Sequence, residues 1–404
     1  MRDACSVIRV HPRALVQHSR QHTRRAIDTR LSVKTRVKHC LMVVALSWFQ
    51  LAIAHPSIER IEALPDRAKT APTFTVSRVL QKSDGSGSTF RYQWPGTYFE
   101  TAFKGSSAYF QLGPGEVILR VLIDDQPVTS MVKPAAGFYE IRELDRGTHR
   151  VRIEVVTESQ AGANEFGGFY LPKESRPARI RSRSRQIEFI GDSHTVGYGN
   201  TFDGRECTEE QVWNSTDTSQ AFGPIVARHF GADYQINAIS GRGIVRNYNG
   251  GSGDTLPQAY PFVLFDRADV PNARRWRPDW IVISLGTNDF STELHEGEPW
   301  KSREELHDAF ESTFVRFVRD LRTKHPRAHL LLWATDSVNT EIRDEAQKVV
   351  AELVKNGERK IDFVPVPTLT MNGCHWHPSS ADDQTIANIL IEHIEARDRD
   401  WQRR

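Results

Sequence analysis

From residue 187 onward, apolar segments that predict β-strands alternate with segments that predict α-helices. The strand segments cover residues 187–190, 234–239, 280–285, 329–334 and 361–366. Between them, apolar side chains recur at steps of three and four residues, a spacing typical of amphipathic helices, as in Leu306, Phe310, Phe314, Phe317 and Leu321. The alternation predicts a parallel sheet covered by helices on both faces, a three-layer α/β/α domain over residues 187–404.

Residues 74–171 have a different pattern, in which short segments rich in aromatic residues and threonine are separated by turn residues. Six segments predict strands: residues 88–94, 98–103, 107–112, 117–123, 137–142 and 149–156. No helical stretch lies between them, so we expect an antiparallel β-sandwich over residues 55–175. Residues 176–186 are rich in arginine and are interpreted as a solvated linker or edge strand between two domains, although a basic run can also bind an anionic polymer.

The first 54 residues combine a basic segment with a short apolar one. Ten of the 53 Lys and Arg residues, but only two of the 51 Asp and Glu residues, lie in residues 1–40. Residues 41–54 carry no charge, are too few to cross a bilayer comfortably and end in the small-x-small pattern Ala52-Ile53-Ala54. We expect a signal peptide cleaved after Ala54, export to the periplasm or the medium, and no stable membrane association. A short retained anchor is the alternative.

Removal of this leader changes the charge and the cysteine content of the chain. The whole chain carries a net charge of +2, but the remainder is net acidic, which argues against nonspecific binding to nucleic acid. Only Cys207 and Cys374 remain. Two cysteines in an exported protein suggest one disulfide, with two unpaired thiols as the alternative.

Four polar segments that contain glycine lie on the carboxyl side of the predicted sheet. They are Gly191-Asp-Ser193, Ser240-Gly-Arg-Gly243, Gly286-Thr-Asn-Asp289 and Gly373-Cys-His-Trp-His-Pro378. Open α/β sheets keep their sites at this edge. Any one of these segments is also ordinary turn chemistry, but the four together predict an active site.

These segments contain the groups that acyl transfer requires. Ser193 supplies a hydroxyl nucleophile, and His377 is the predicted base that accepts its proton. The tetrahedral intermediate needs donors aimed at its oxyanion. The candidate donors are the backbone N–H groups of Ser193 and Gly241 and the side-chain amide of Asn288. Asp192 is interpreted as an acceptor that orders the loop, and neither a cofactor nor a metal is expected.

The same residues resemble the motif blocks of the SGNH, or GDSL-type, hydrolases. In that family, the positions matched by Ser193, Gly241, Asn288 and His377 act as nucleophile, oxyanion donors and catalytic histidine. Longer strings are similar to carbohydrate esterase family 2: Gly191-Asp-Ser-His-Thr-Val-Gly-Tyr-Gly199, Gly241-Arg-Gly243, Gly286-Thr-Asn-Asp-Phe-Ser291 and Gly373-Cys-x-Trp-His-Pro378. This resemblance implies a jelly-roll domain ahead of the hydrolase domain, and an esterase that removes acetyl groups from plant cell-wall polysaccharides such as xylan or mannan.

The chain departs from the family pattern beside the histidine. The position three residues before His377, which is Asp in the broader family, is Cys374, and the position that is often Asp in the esterase family is His375. Either a backbone carbonyl orients His377, which gives a Ser–His dyad, or a distant carboxylate such as Asp289 or Asp336 does so. Loss of an orienting group weakens such a catalyst without abolishing it.

Three further residues are predicted to bind substrate: Trp376, Asp289 and His194, although His194 is interpreted as either structural or substrate-facing. Trp376 is next to the predicted base, and its indole ring is suited to stacking on a sugar. Trp213 and Trp300 are additional candidates for such stacking, although a tryptophan taken alone is more often a packing residue.

Three alternatives compete with a carbohydrate esterase. His375 and His377 form a His-x-His pair that can ligate zinc, but apart from Cys374 the neighbouring sequence has no further cluster of ligands. A carbohydrate-binding protein with a degenerate hydrolase domain would not need to retain all the catalytic residue types. A lipid esterase usually has an apolar loop near its site, whereas residues 200–218 and 246–260 are polar.

Overall fold

The computed structural model describes residues 56–84, 87–180, 183–271, 276–337 and 339–397. The basic leader and the expected cleavage site after Ala54 therefore lie outside the described residues. All of the elements below belong to a single unit, residues 53–404. No helix within the described ranges has both the length and the apolar character needed to cross a membrane.

Twelve strands form the N-terminal part of the described residues. They are β1 (Ser57–Ile61), β2 (Lys69–Ala71), β3 (Val79–Asp84), β4 (Gly87–Tyr92), β5 (Tyr98–Gly105), β6 (Ala108–Leu112), β7 (Ile118–Ile123), β8 (Gln126–Val132), β9 (Gly137–Arg142), β10 (Gly147–Val155), β11 (Asn164–Leu171) and β12 (Arg176–Pro177). One antiparallel sheet has the order β1-β9-β6-β11-β4-β3, with β2 paired to β11, and the other has the order β12-β5-β10-β7-β8. The predicted β-sandwich is confirmed, with a jelly-roll-like arrangement.

Aromatic side chains fill the space between these two sheets. Phe99 of β5 stacks on Phe166 of β11 with ring centroids 4.3 Å apart, and Phe103 and Phe110 are completely buried in the same cluster. Alternate residues of each strand point inward, because successive side chains of a strand face opposite sides of the sheet. The aromatic content of the predicted strands therefore forms the core of the sandwich.

The hydrolase part contains five strands and eight α-helices among the described residues. The strands are β13 (Gln186–Gly191), β14 (Asp233–Ala238), β15 (Trp280–Ser284), β16 (His329–Thr335) and β17 (Ile361–Val366). The helices are α1 (Ser193–Val196), α2 (Glu209–Ser215), α3 (Phe222–His229), α4 (Leu256–Ala259), α5 (Thr287–Phe290), α6 (Arg303–Lys324), α7 (Thr340–Lys355) and α8 (Ser380–Arg397).

All five strands are parallel, in the order β14-β13-β15-β16-β17. Apolar side chains of α6 and α7 form one buried cluster with the sheet, and those of α3 and α8 form another. The prediction of a parallel sheet between two helical layers is confirmed. The strand that carries the first motif, β13, lies inside the sheet, so its carboxyl end opens onto the centre of that edge.

A buried carboxylate joins the sandwich to the hydrolase sheet. Glu188, in the middle of β13, is completely buried and accepts hydrogen bonds from Tyr260, Trp276 and Asn237. Arg78, which leads into β3, lies 3.3 Å from the same carboxylate. Burial penalises the charged form, yet Arg78 and the surrounding donors hold the pKa of Glu188 below its ordinary value. This ion pair fixes the two sheets against each other.

The arginine-rich segment between the sheets makes specific contacts. Arg176 and Pro177 form the edge strand β12 on β5. Arg183 donates to Glu100 of the sandwich and to Asp233 of β14. The segment that was interpreted as a solvated linker or edge strand thus contains an edge strand and also contacts both the sandwich and the hydrolase sheet.

Candidate active site

The strand-to-helix turn after β13 places Ser193 at the carboxyl edge of the sheet. Asp192 is the N-cap of α1, and its Oδ1 accepts a hydrogen bond from the backbone N–H of His194 at 3.1 Å. Ser193 is the first residue of α1 and is 4% exposed. A Cβ at Gly191 would collide with the Thr195 side chain, so the tight turn depends on glycine at this position.

Ser193 and His377 are in direct contact. The Ser193 Oγ lies 2.9 Å from the His377 Nε2. On the other side of the ring, Nδ1 lies 2.9 Å from the carbonyl oxygen of Cys374 and 3.1 Å from that of His375. Because a carbonyl oxygen only accepts hydrogen bonds, Nδ1 carries the proton and Nε2 is left to accept the serine proton.

The environment keeps this histidine neutral. Burial lowers the pKa of His377 to about 4, although the carbonyl oxygens of Cys374 and His375 oppose the shift. Burial also lowers the pKa of the neighbouring His194 to about 3. A neutral imidazole at neutral pH is the form required to accept a proton from a serine hydroxyl.

The segment that carries His377 has an unusual backbone. His375 and Trp376 have φ values of +51° and +58°, a left-handed conformation that is costly for residues other than glycine. A disulfide between Cys374 and Cys207 fastens the segment to the loop after α1. A Cβ at Gly199 would collide with the Cβ of Cys374, so glycine in the first motif lets the two loops meet.

No carboxylate among the described residues hydrogen-bonds to His377. Asp336, one of the two candidates, accepts hydrogen bonds from Arg343 and Thr368. Asp289, the other, accepts the backbone N–H groups of Ile244, Val245 and Arg246 at 2.8–2.9 Å. Of the two arrangements that the sequence left open, the geometry is that of a dyad oriented by backbone carbonyls.

Asp289 was also predicted to bind substrate. Its side chain is completely buried beneath residues 243–246, and burial raises its pKa to about 6. His194 is likewise buried, at 3% exposure, and its ring meets that of His377 edge to face at 5.6 Å. Both side chains contact other residues of the site, and their roles in substrate binding stay predictions. Trp376, by contrast, is 55% exposed beside His377.

Three candidate oxyanion donors lie after the carboxyl ends of three different strands, β13, β14 and β15. The backbone N–H groups of Ser193 and Gly241 have no hydrogen-bond acceptor in the described part of the chain. The Asn288 Nδ2 lies 3.2 Å from Asp192 Oδ2 and 3.0 Å from the Arg242 carbonyl oxygen. An oxyanion would therefore share the Asn288 amide with these acceptors. Burial raises the pKa of Asp192 to about 7 and so favours its neutral form. A neutral carboxyl group accepts a weaker hydrogen bond from the Asn288 amide than a carboxylate does.

The sequence interpretation missed Tyr198, which lies against the histidine. Its ring centroid is 4.4 Å from that of His377, and its hydroxyl lies 3.1 Å from the His375 Nδ1. The other ring nitrogen of His375 contacts the Cys207 carbonyl oxygen. The only signal for Tyr198 was its position between Gly197 and Gly199 of the first motif.

The described residues contain no group of three His, Cys, Asp or Glu side chains that converge as metal ligands.

Tyr198 also forms one wall of a groove between the two domains. The groove has a volume of about 650 Å³. Trp213 and Glu209 line it from α2, and Glu116 and Glu158 line it from the sandwich. Lys133 lies over the Trp213 ring at 4.7 Å from its centroid. Of the stacking candidates, Trp213 is thus at this groove, whereas Trp300 lines a separate pocket near residues 245–255.

A three-layer α/β/α fold with a Ser–His pair at the carboxyl edge of its sheet is suited to acyl transfer from esters, and the comparisons below identify the class as carboxylic ester hydrolases. Two known protein families match defined parts of the chain. The GDSL-like lipase/acylhydrolase family matches residues 189–391, and the N-terminal domain of carbohydrate esterase 2 matches residues 82–179. The chain belongs to the GDSL-like hydrolases and, among them, to carbohydrate esterase family 2.

Individual relatives agree with this assignment. An acetylxylan esterase/glucomannan deacetylase of Cellvibrio japonicus is 44% identical over 338 residues, which is 83% of this chain and 94% of the relative. A solved carbohydrate esterase has a TM-score of 0.78 at 43% identity and covers 82% of this chain and 100% of its own. A family two carbohydrate esterase from Clostridium thermocellum, solved with cellohexaose, has a TM-score of 0.71 at 26% identity, with coverages of 82% and 100%.

Proposed function

We propose that this enzyme removes O-acetyl groups from plant cell-wall polysaccharides or oligosaccharides of the xylan and mannan type. The observation that carries the proposal is the 2.9 Å contact between Ser193 Oγ and a neutral His377 whose Nδ1 is held by carbonyl oxygens. The Cellvibrio japonicus relative, named acetylxylan esterase/glucomannan deacetylase, supports this substrate class.

In the proposed reaction, Ser193 Oγ attacks the acetyl carbonyl carbon while its proton passes to His377 Nε2. The carbonyl electron pair becomes an oxyanion, which accepts hydrogen bonds from the N–H groups of Ser193 and Gly241 and from Asn288. Collapse of this intermediate expels the sugar oxygen, which takes the proton from His377. Water then attacks the acetyl-enzyme by the same route, with His377 as base, and releases acetate.

The sugar chain is proposed to lie in the groove between the domains, with Trp376 at the reacting sugar. The groove has both features that sugar recognition requires, an aromatic side chain (Trp213) and carboxylates for hydroxyl groups (Glu116 and Glu209). Its wall at Tyr198 contacts His377 directly. A sugar there would present its ester to the dyad.

Export through a cleaved signal peptide remains part of the proposal. The disulfide between Cys207 and Cys374 supports it, because such bonds persist in oxidising compartments. The substrate is also a polymer of the cell exterior. A defined N-terminus of the secreted protein, read by mass spectrometry, tests the expected cleavage after Ala54.

The substrate class is tested by acetate release from acetylated xylo- and manno-oligosaccharides, compared with hydrolysis of a long-chain fatty acyl ester. We expect release from the acetylated sugars, with little turnover of the long-chain ester. Preference for the long-chain ester would replace the proposal with a lipid esterase. Binding of glycans without acetate release would replace it with a carbohydrate-binding protein.

A further inference from the structure

The candidate oxyanion donor Gly241 lies in a tight turn at the end of β14. The Ile239 carbonyl oxygen accepts the N–H of Arg242 at 3.3 Å, and Gly241 has a φ of +80°. This combination is typical of a type II turn with glycine as its second central residue. A Cβ at Gly241 would meet no protein atom within 4 Å, so the positive φ, and not crowding by the protein, explains the glycine.

The central peptide of this turn joins Ser240 to Gly241, and two orientations are open to it. Type I and type II turns differ by a rotation of that peptide, which reverses the directions of its carbonyl and its N–H. Because the peptide is planar and trans, the Ser240 carbonyl and the Gly241 N–H point in opposite directions. A group that donates a hydrogen bond to the Ser240 carbonyl oxygen therefore also fixes the direction of the Gly241 N–H.

Two side chains of the β-sandwich hold Ser240. Gln160 Nε2 donates to the Ser240 carbonyl oxygen at 3.1 Å. Glu158 Oε1 accepts the Ser240 N–H at 2.7 Å and also a hydrogen bond from Gln160 at 3.2 Å. Both backbone groups of the residue before the donor are thus bound by residues 158–160, which follow β10.

The loop that carries these side chains is itself anchored. Gln93 Nε2 donates to the carbonyl oxygens of Ser159 and Gln160 at 3.1 and 3.3 Å. The Oε1 of the same Gln93 accepts the N–H of Phe265, in the hydrolase part, at 2.9 Å. The loop is therefore bonded to both domains, and it can resist rotation of the turn.

We propose that Gln160 and Glu158 are positioning residues that lock the Ser240–Gly241 peptide with its N–H directed at the oxyanion. The β-sandwich thereby contributes to catalysis through the geometry of the hydrolase site. The hydrogen bond to the Ser240 oxygen also polarises the peptide and strengthens Gly241 as a donor. This inference rests on the proposed role of Gly241 in the esterase reaction.

The test is the hydrolysis of p-nitrophenyl acetate by Gln160→Ala and Glu158→Ala. Removal of one oxyanion donor in other hydrolases costs about 10²- to 10³-fold in kcat, so a misdirected donor is expected to cost about 10- to 100-fold. KM should change by less than about twofold, because the oxyanion exists only in the transition state and intermediate. The small ester lacks a sugar, so the result does not depend on the proposed substrate.

Matched variants separate positioning from general support of the fold. Glu158→Gln retains an acceptor for the Ser240 N–H and should keep kcat within about threefold of the parent. Gln81→Ala removes a glutamine that bonds only within the sandwich and should leave kcat unchanged. Unchanged kcat in Gln160→Ala would overturn the proposal. A decrease in kcat in Gln160→Ala or Glu158→Ala that only matches a decrease in the folded fraction, measured by thermal unfolding, would also overturn it.

Discussion

The carbonyl oxygen of Cys374 lies 2.9 Å from the Nδ1 of His377, in the place where many serine hydrolases present a carboxylate. The same cysteine is bonded through its sulfur to Cys207. The group that orients the base is thus part of a cross-linked backbone. A carbonyl fixes the tautomer as a carboxylate does, but it brings no negative charge to stabilise the imidazolium that forms during the reaction.

Loss of the disulfide should impair both stability and rate. Cys207→Ser frees the backbone that carries the Cys374 carbonyl, and a shift of about 1 Å in the base can cost up to about 10²-fold in kcat. Removal of a native disulfide typically costs about 2–5 kcal/mol in unfolding free energy. Kinetics and urea denaturation measure the two effects. The parent in dithiothreitol is the control and should behave like the variant; a fully reduced parent with unchanged kcat would contradict the account.

The enzyme should remain active in mild acid. The neutral form of His377 is the base, and burial lowers its pKa to about 4, so activity is present above that pH and is lost as the pH falls through it. The acid limb of kcat/KM for p-nitrophenyl acetate reports this ionisation in the free enzyme. Asp192→Asn removes the adjoining carboxyl group, whose pKa burial raises to about 7. An acid limb near pH 6.5 in that variant would refute the assignment.

Removal of Arg78 should destabilise the whole protein. Arg78→Met leaves Glu188 buried without its cationic partner, and such a loss typically costs about 3–5 kcal/mol. The matched control is Arg142→Met, which breaks exposed ion pairs with Glu59 and Glu140 and should cost about 0–1 kcal/mol. Urea denaturation measures both. Equal, small losses in the two variants would show that Glu188 does not depend on Arg78.

Substitution of Trp213 should affect long substrates selectively. If the sugar chain occupies the groove, Trp213→Ala removes an aromatic contact worth about 1 kcal/mol, which corresponds to about a fivefold loss in kcat/KM. The loss should be seen with acetylated oligosaccharides and not with p-nitrophenyl acetate. Trp213→Phe should recover part of it. An equal loss with both substrates would show that the substitution perturbs the fold of α2. No loss with either substrate would show that the sugar chain does not bind in the groove.

Local patterns in the sequence predicted the sheet and named Ser193 and His377 as a candidate nucleophile and base, but left open what orients His377. Most contacts between residues far apart in the sequence were not predicted. Each predicted hydrolase strand appears within one residue of its expected bounds, because buried parallel strands are continuous apolar runs. The central strand β11 was not predicted, since Gly167 and Gly168 interrupt it, and its pairing with β6 shifts register between Phe166 and Phe169.

The contacts of Asp289 with residues 244–246 were not predicted, for a related reason. Its position in the third motif placed it near the site, but only the fold reveals that residues 243–246 cover it. The contacts of Glu158 and Gln160 with Ser240 span about 80 residues and two domains. No spacing rule within either domain predicts them.

Catalysis by the Ser193–His377 pair is tested most directly by acetate release from acetylated oligosaccharides by Ser193→Ala, His377→Ala and the double variant. We predict that each single substitution lowers kcat by about 10³-fold or more. The double variant should be no worse than either single variant, because the two residues act as a unit. Multiplicative losses, or a Ser193→Ala enzyme that retains most of its activity, would contradict the dyad.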